Sequence, residues 1–180
     1  MAEPRMAPLP VDERDERTSE LLQGLMGGGD MNIFTTLARH PKLLKRWAAF
    51  GGTLLAGGDL PAREREILIL RTGANCRSEY EWGQHVRIGK DAGLTDDEIQ
   101  RIFDGPAAGW DDDDRVLIVA ADELHADARL SDPTWATLAK RYDDKQLIEL
   151  LMIVGQYHLV SFTLNSLGVQ REPGVEGFPS

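Results

Sequence analysis

Residues 60–99 read LPAREREILILRTGANCRSEYEWGQHVRIGKDAGLTDDEI, and their spacing decides the fold. Leu60-Pro61 opens a helix that runs through Arg71, because proline suits a first turn whose N–H would lack a partner anyway. Its centre, Ile67-Leu68-Ile69-Leu70, is apolar on every side, and such a helix has to be covered all round. Ser78 to Asp91 forms the next helix, closed by Gly93, and Thr95 with Glu98 makes a capping box for a short helix ending near Gly105. Nearly every other segment has helical rather than alternating periodicity, and no strand-turn-strand signal occurs. The chain is therefore predicted to be all-α.

Toward the N-terminus, a helix over about 12–25 stops at Gly27-Gly28-Gly29, a triplet without the lysine and hydroxyl residue of a phosphate-binding loop. Asp30 is placed to cap a short helix over 32–40, and Pro41 to open the helix that follows. Toward the C-terminus, Asp111 to Asp114 supply the acidic first turn that a helix dipole favours, a solvated run rather than a metal site. Ser131 and Pro133 open a helix to about Tyr142. Asp143 and Gln146 cap a long apolar helix that ends at Gly168. Its run Leu150 to Val154 matches the central apolar character of 67–70, so these two helices form the core, helped by a second subunit. About eight helices result. Residues 12–169 read as one domain between a loose arm, 1–11, and a tail, 170–180.

Charge narrows the partners. A formal net charge of −10 over 180 residues argues against a sequence-independent grip on nucleic acid or anionic lipid. A small-molecule substrate and a homo-oligomer are the expected partners. One cysteine permits no intramolecular disulfide, which fits a reducing cytoplasm, and no run resembles a signal peptide or the ~20 apolar residues of a bilayer span.

Candidate chemistry concentrates in the helix over 78–91. Glu81 and His85 stand at i and i+4, with Ser78 one turn earlier, and the same face carries Trp82, Ile88 and Gly89 while Arg87, Lys90 and Asp91 fall elsewhere. Glu66 lies along the apolar stripe of the preceding helix, with Ile69 and Leu70, and a buried carboxylate needs a partner that His85 could be. A carboxylate–histidine pair in a partly dry site is a general acid/base unit. The competing reading is structural: Ser78-x-x-Glu81 is itself a capping box. Glu66, Glu81 and His85 are also ligand types that zinc or iron accepts, although no second histidine is placed by sequence to join them. Cys76, ahead of the helix and beside Arg77, has the setting that lowers a thiol pKa, against the plainer reading of a small buried residue in a joint. His125 near a helix C-terminus is favoured by the dipole there, and His158 is packed or faces the same cavity as His85. Arg63, Arg71 and Arg77 are candidate carboxylate clamps. Trp82, Tyr80 and Phe50 are candidate pocket walls, with His158.

The 60–99 string resembles the core of the carboxymuconolactone decarboxylase superfamily, which includes alkylhydroperoxidase D-like proteins, and the likeness runs from about residue 32 to 169. It implies an all-α fold and a homo-oligomer built on shared helices, a dimer, trimer or hexamer. The peroxidase branch carries a glutamate, a Cys-x-x-Cys pair and a histidine four beyond the second cysteine. Glu66 and His85 match; Ser78 and Glu81 occupy the cysteine positions. The resemblance therefore implies a proton relay without the dithiol: a cofactor-independent, metal-independent acid/base enzyme of lyase, hydrolase or isomerase type on a small carboxylate or lactone. Alternatives are a peroxide reductase using Cys76 with an external thiol, and a non-catalytic oligomeric scaffold.

Overall fold

The computed structural model describes residues 3–25 and 29–179, so the expected stop at Gly27-Gly28 lies outside the described residues. Among them are nine α-helices and no strand, together with a 3₁₀ turn at Val11–Glu13. The helices are α1 (Glu16–Gln23), α2 (Asn32–Leu37), α3 (Pro41–Ala56), α4 (Ala62–Asn75), α5 (Glu79–Asp91), α6 (Asp96–Asp104), α7 (Asp112–Asp127), α8 (Asp132–Leu138) and α9 (Asp144–Leu167).

Local signals set most of these boundaries. Thr95 and Glu98 form the expected capping box on α6, and Asp143 and Gln146 form one on α9. Gly168 ends α9 in the left-handed conformation, with φ of 68°. Several boundaries differ from expectation, among them the ends of α2 at Leu37 and of α8 at Leu138 rather than near His40 and Tyr142. The first helix starts at Glu16 behind Asp15, which accepts from the Thr18 N–H. The second is capped not by Asp30 but from the far end of the chain: Glu172 accepts from the Asn32 N–H at 2.6 Å. Finally, α4 continues past Arg71 to Asn75.

The centre is α4. Ile67, Leu68, Ile69 and Leu70 are fully buried, because α5, α6, α7 and α9 surround them. The α4–α7 contact is also ionic: Arg63 donates to both carboxylate oxygens of Asp114, at 2.8 and 2.7 Å, and Arg71 donates to Asp122 at 2.6 and 3.0 Å. Asp114 is thus a buried cross-link rather than a solvated member of the acidic run. Burial on α9 is one-sided. Leu150, Ile153 and Val154 are covered, whereas Ile148, Met152, Leu159 and Phe162 lie open along the opposite face. By length and composition α9 could cross a membrane, contrary to the sequence expectation, but half of its most apolar stretch is buried inside the fold.

Both ends of the chain are tied down. In the N-terminal arm, Met6 donates from its N–H to the Leu167 carbonyl, and Leu9 to that of Thr35. In the tail, Phe178 joins Trp82 and Phe103 in a three-ring cluster with centroids 5.3–5.7 Å apart.

Candidate active site

The joint between α4 and α5 sets the site. Ser78 donates its N–H to the Gly73 carbonyl and Arg77 its N–H to that of Ala74, with Arg77 at φ of 51°. This is a Schellman-type closure with a non-glycine residue in the left-handed position. It reverses the chain, so α5 packs back along α4. The helices approach closely at Gly89, where an added Cβ would already touch Leu70 and the Glu66 side chain at 3.4 and 3.7 Å. Glu66 and His85, nineteen residues apart, thereby meet.

His85 is held between two acids. Its Nδ1 lies 2.6 Å from Glu66 Oε2, and its Nε2 lies 3.0 Å from Glu81 Oε1. Glu66 is fully buried, and its other oxygen accepts from Arg65 Nε at 3.0 Å. Burial alone would drive the imidazole toward its neutral form, yet the two carboxylates outweigh it and raise His85 from an ordinary 6.5 to about 10. Burial likewise pushes Glu66 up, but His85 and then Arg65 reverse that and hold the carboxyl below its usual range. The ring is therefore an imidazolium that donates from both nitrogens. Glu66 and Glu81 meet opposite nitrogens of the ring, so the three residues do not converge on one point and do not fit the metal alternative. The Ser78-x-x-Glu81 capping box is also absent: Ser78 makes no side-chain cap, and the Glu81 carboxylate turns to the histidine.

The His85 ring forms part of the wall of a cavity of about 500 Å³, together with Glu81, Tyr80, Gln84, Gln156 and Tyr157. Apolar groups from α2, α3 and α9 complete the lining, among them Ile33, Trp47 and Val160. Tyr157 stands edge-on to His85, ring centroids 4.9 Å apart, and burial followed by the nearby Glu81 and Glu66 raises its phenol well above its ordinary value, so it stays protonated. Tyr80 donates to Glu172 at 2.7 Å and accepts from the Ile33 N–H at 3.1 Å, while Gln84 donates to the other Glu172 oxygen. One tail carboxylate thus joins α2 to α5 at the cavity's edge.

Several sequence assignments need correcting. Trp82 is a core residue against Phe103 and Phe178, outside the cavity. Phe50 belongs to a neighbouring, almost wholly apolar hollow of about 530 Å³, which shares Ile33, Trp47, Gln156 and Val160 with the first. Neither His158 nor Cys76 reaches His85. The His158 ring instead stacks on His125, whose pKa is lowered by burial and then by His158 rather than raised by the helix end. Cys76 terminates α4, and burial pushes its thiol up more than the neighbouring Ser161 hydroxyl lowers it. Ser78 is fully buried, and its hydroxyl has no hydrogen-bond partner. None of the arginine clamps is free for a substrate in this cavity: Arg63 and Arg71 hold Asp114 and Asp122, and Arg77 is exposed at the joint. Arg87, placed off the active face by helical spacing, lines the mouth instead, and Tyr157 and Glu172 were missed.

Residues 41–122 match the profile of the carboxymuconolactone decarboxylase family. Over that segment the chain is similar to the carboxymuconolactone decarboxylase superfamily. Solved structures agree on the fold. A peroxidase-related protein with an alkylhydroperoxidase D core from Ralstonia eutropha JMP134 superposes with a TM-score of 0.79 at 18% identity, covering 96% of this chain and 95% of that one. A peroxidase-related protein from Silicibacter sp. TM1040 gives 0.76 at 16%, covering 97% and 92%. The debrominase Bmp8 gives 0.76 at 14%, covering 93% and 92%. No curated protein matches the chain significantly. At these identities the likeness shows the α-helical fold alone and leaves the substrate to be argued from the site.

Proposed function

We propose that this chain is a cofactor-independent acid/base enzyme that moves a proton on a small, largely apolar organic substrate such as a lactone or an enolisable ketone. The observation that carries this reading is the Glu66–His85–Glu81 clamp at the wall of a 500 Å³ cavity. Glu66, held by Arg65, orients the imidazolium. Glu81, at the cavity, is the group that takes a proton from a substrate carbon, with His85 buffering the charge and returning the proton. The protonated Tyr157 phenol is a hydrogen-bond donor for the oxyanion that develops on the substrate carbonyl. The substrate is more apolar than the expected carboxylate. Both candidate guanidinium clamps on α4 are engaged elsewhere, and of the cavity's cations His85 is already paired with two acids, which leaves Arg87 at the mouth against Asp91 and Glu172.

The peroxide-reductase alternative gains no support: a thiol raised by burial and remote from the relay is a poor peroxidatic nucleophile. The exposed apolar stripe of α9 supports the expected self-association. A direct test is NMR-detected exchange of solvent deuterium into a panel of small lactones and cyclic ketones. The wild type should exchange at least one compound faster than buffer does, and Glu81→Gln should abolish the difference. Exchange that persists undiminished in Glu81→Gln, or a complete absence of exchange across the panel, overturns the proposal.

A further inference from the structure

A second cluster lies outside the cavity. Cys76 at the end of α4, His125 in the last turn of α7 and His158 midway along α9 place the sulfur and one ring nitrogen of each histidine within 4.8 Å of one another. We propose that these three residues form a zinc site whose fourth position is open to solvent.

Hydrogen bonding has already set the ligand atoms. His158 Nδ1–H donates to the Val154 carbonyl at 2.8 Å, which fixes the tautomer and turns the Nε2 lone pair toward the cluster. A ring N–H committed to a backbone carbonyl is the usual outer-shell arrangement behind a metal-bound histidine. His125 Nδ1 lies 2.9 Å from that Nε2, with the rings stacked 5.1 Å apart. Tetrahedral zinc, with bonds of about 2.3 Å to sulfur and 2.0–2.1 Å to nitrogen, needs its ligand atoms roughly 3.3–3.6 Å apart, a small adjustment of side chains already this close.

The surroundings fit a sulfur held by a metal. Ser161 is fully buried beside Cys76 and its hydroxyl makes no hydrogen bond, so it is available to donate to an anionic sulfur. Asn165 Nδ2 donates to the Cys76 carbonyl at 2.8 Å and pins the backbone. The nearest acid, Asp122, is taken up by Arg71 and by Asn75 Nδ2, which leaves sulfur and nitrogen as the donors. That donor set selects zinc over magnesium or calcium. On binding, the S–H bond breaks, its proton passes to solvent and a Zn–S bond forms. His125 is exposed, so water can complete the tetrahedron.

The test uses the full chain stripped with a chelator and then titrated with Zn²⁺ against a chromophoric competitor, and separately with Co²⁺. One zinc per chain should bind. Co²⁺ should show the visible bands of a tetrahedral site together with a thiolate-to-cobalt charge-transfer band. Cys76→Ser should remove that band, and Cys76→Ser and His158→Gln should each weaken zinc binding by at least about tenfold, the lower end of what outer-shell partners alone contribute. His125→Gln, at an exposed position, should weaken binding equally with the fold intact by circular dichroism, whereas Glu81→Gln should leave it unchanged. Zinc binding that survives both Cys76→Ser and His125→Gln, or the absence of one-to-one binding in the wild type, overturns the site.

Discussion

The α-carbon of Gly83 faces the backbone carbonyl of Glu176 so closely that no Cβ fits between them, and the nearby Val175 Cγ1 would lie only 2.6 Å from such an atom. Backbone cannot swing aside as the end of a long side chain can, so Gly83→Ala is expected to push the tail off α5. The measurements are limited proteolysis, which should cut the variant faster between 170 and 179, and thermal unfolding, which should fall by several degrees for a loss of about 1–2 kcal/mol. Equal proteolysis of the two proteins would mean that the tail is not held here.

Stability should fall on the alkaline side because of His85. Its folded pKa, about 10, exceeds its ordinary 6.5, so the stabilisation is complete below 6.5 and is lost progressively as pH rises through 10. Glu66 has the opposite sign: its contribution is present above the ordinary carboxylate value and is lost as acid titrates the depressed group. Urea midpoints measured from pH 6 to 10 should therefore decline more steeply in the wild type than in His85→Gln. Parallel curves would show that the imidazolium is not held as described.

Removing the central ring should separate rate from folding. His85→Gln is expected to keep the helical spectrum and lower the proton-exchange rate by about 100- to 10,000-fold, the range of a positioned acid/base group. Glu66→Gln breaks a buried charge pair without replacing it, so it should also cost about 3–5 kcal/mol of stability. If Glu66→Gln unfolds in urea at the wild-type midpoint, the burial of this pair contributes nothing.

Cys76→Ser should leave proton exchange at its wild-type rate, because the thiol does not line the cavity. Consumption of an organic hydroperoxide in the presence of an external thiol should likewise not change. A drop in consumption would restore the one-cysteine peroxidase cycle.

Much of the relay could be read in the sequence because its components are local. Glu81 and His85 are one helical turn apart, and Glu66 is the carboxylate on an otherwise apolar stripe; a single tight joint does the rest. Tyr157 and Glu172 were missed because they reach the cavity from distant parts of the chain, on α9 and the tail, where no short-range spacing refers to α5. Trp82 was misplaced for a related reason: a helical wheel says which way a side chain points, not whether it meets a void or the rings of Phe103 and Phe178. Cys76 shows how abruptly a local inference can reverse. It lies two residues before the N-cap of α5, yet it is the C-cap of α4, where the helix dipole no longer favours a thiolate.

Ile33, Trp47, Gln156 and Val160 face both hollows and so make a party wall one side chain thick. Interiors packed at crystal-like density transmit displacement instead of absorbing it. An occupant of one hollow that displaces any of these four side chains therefore reshapes the other hollow as well.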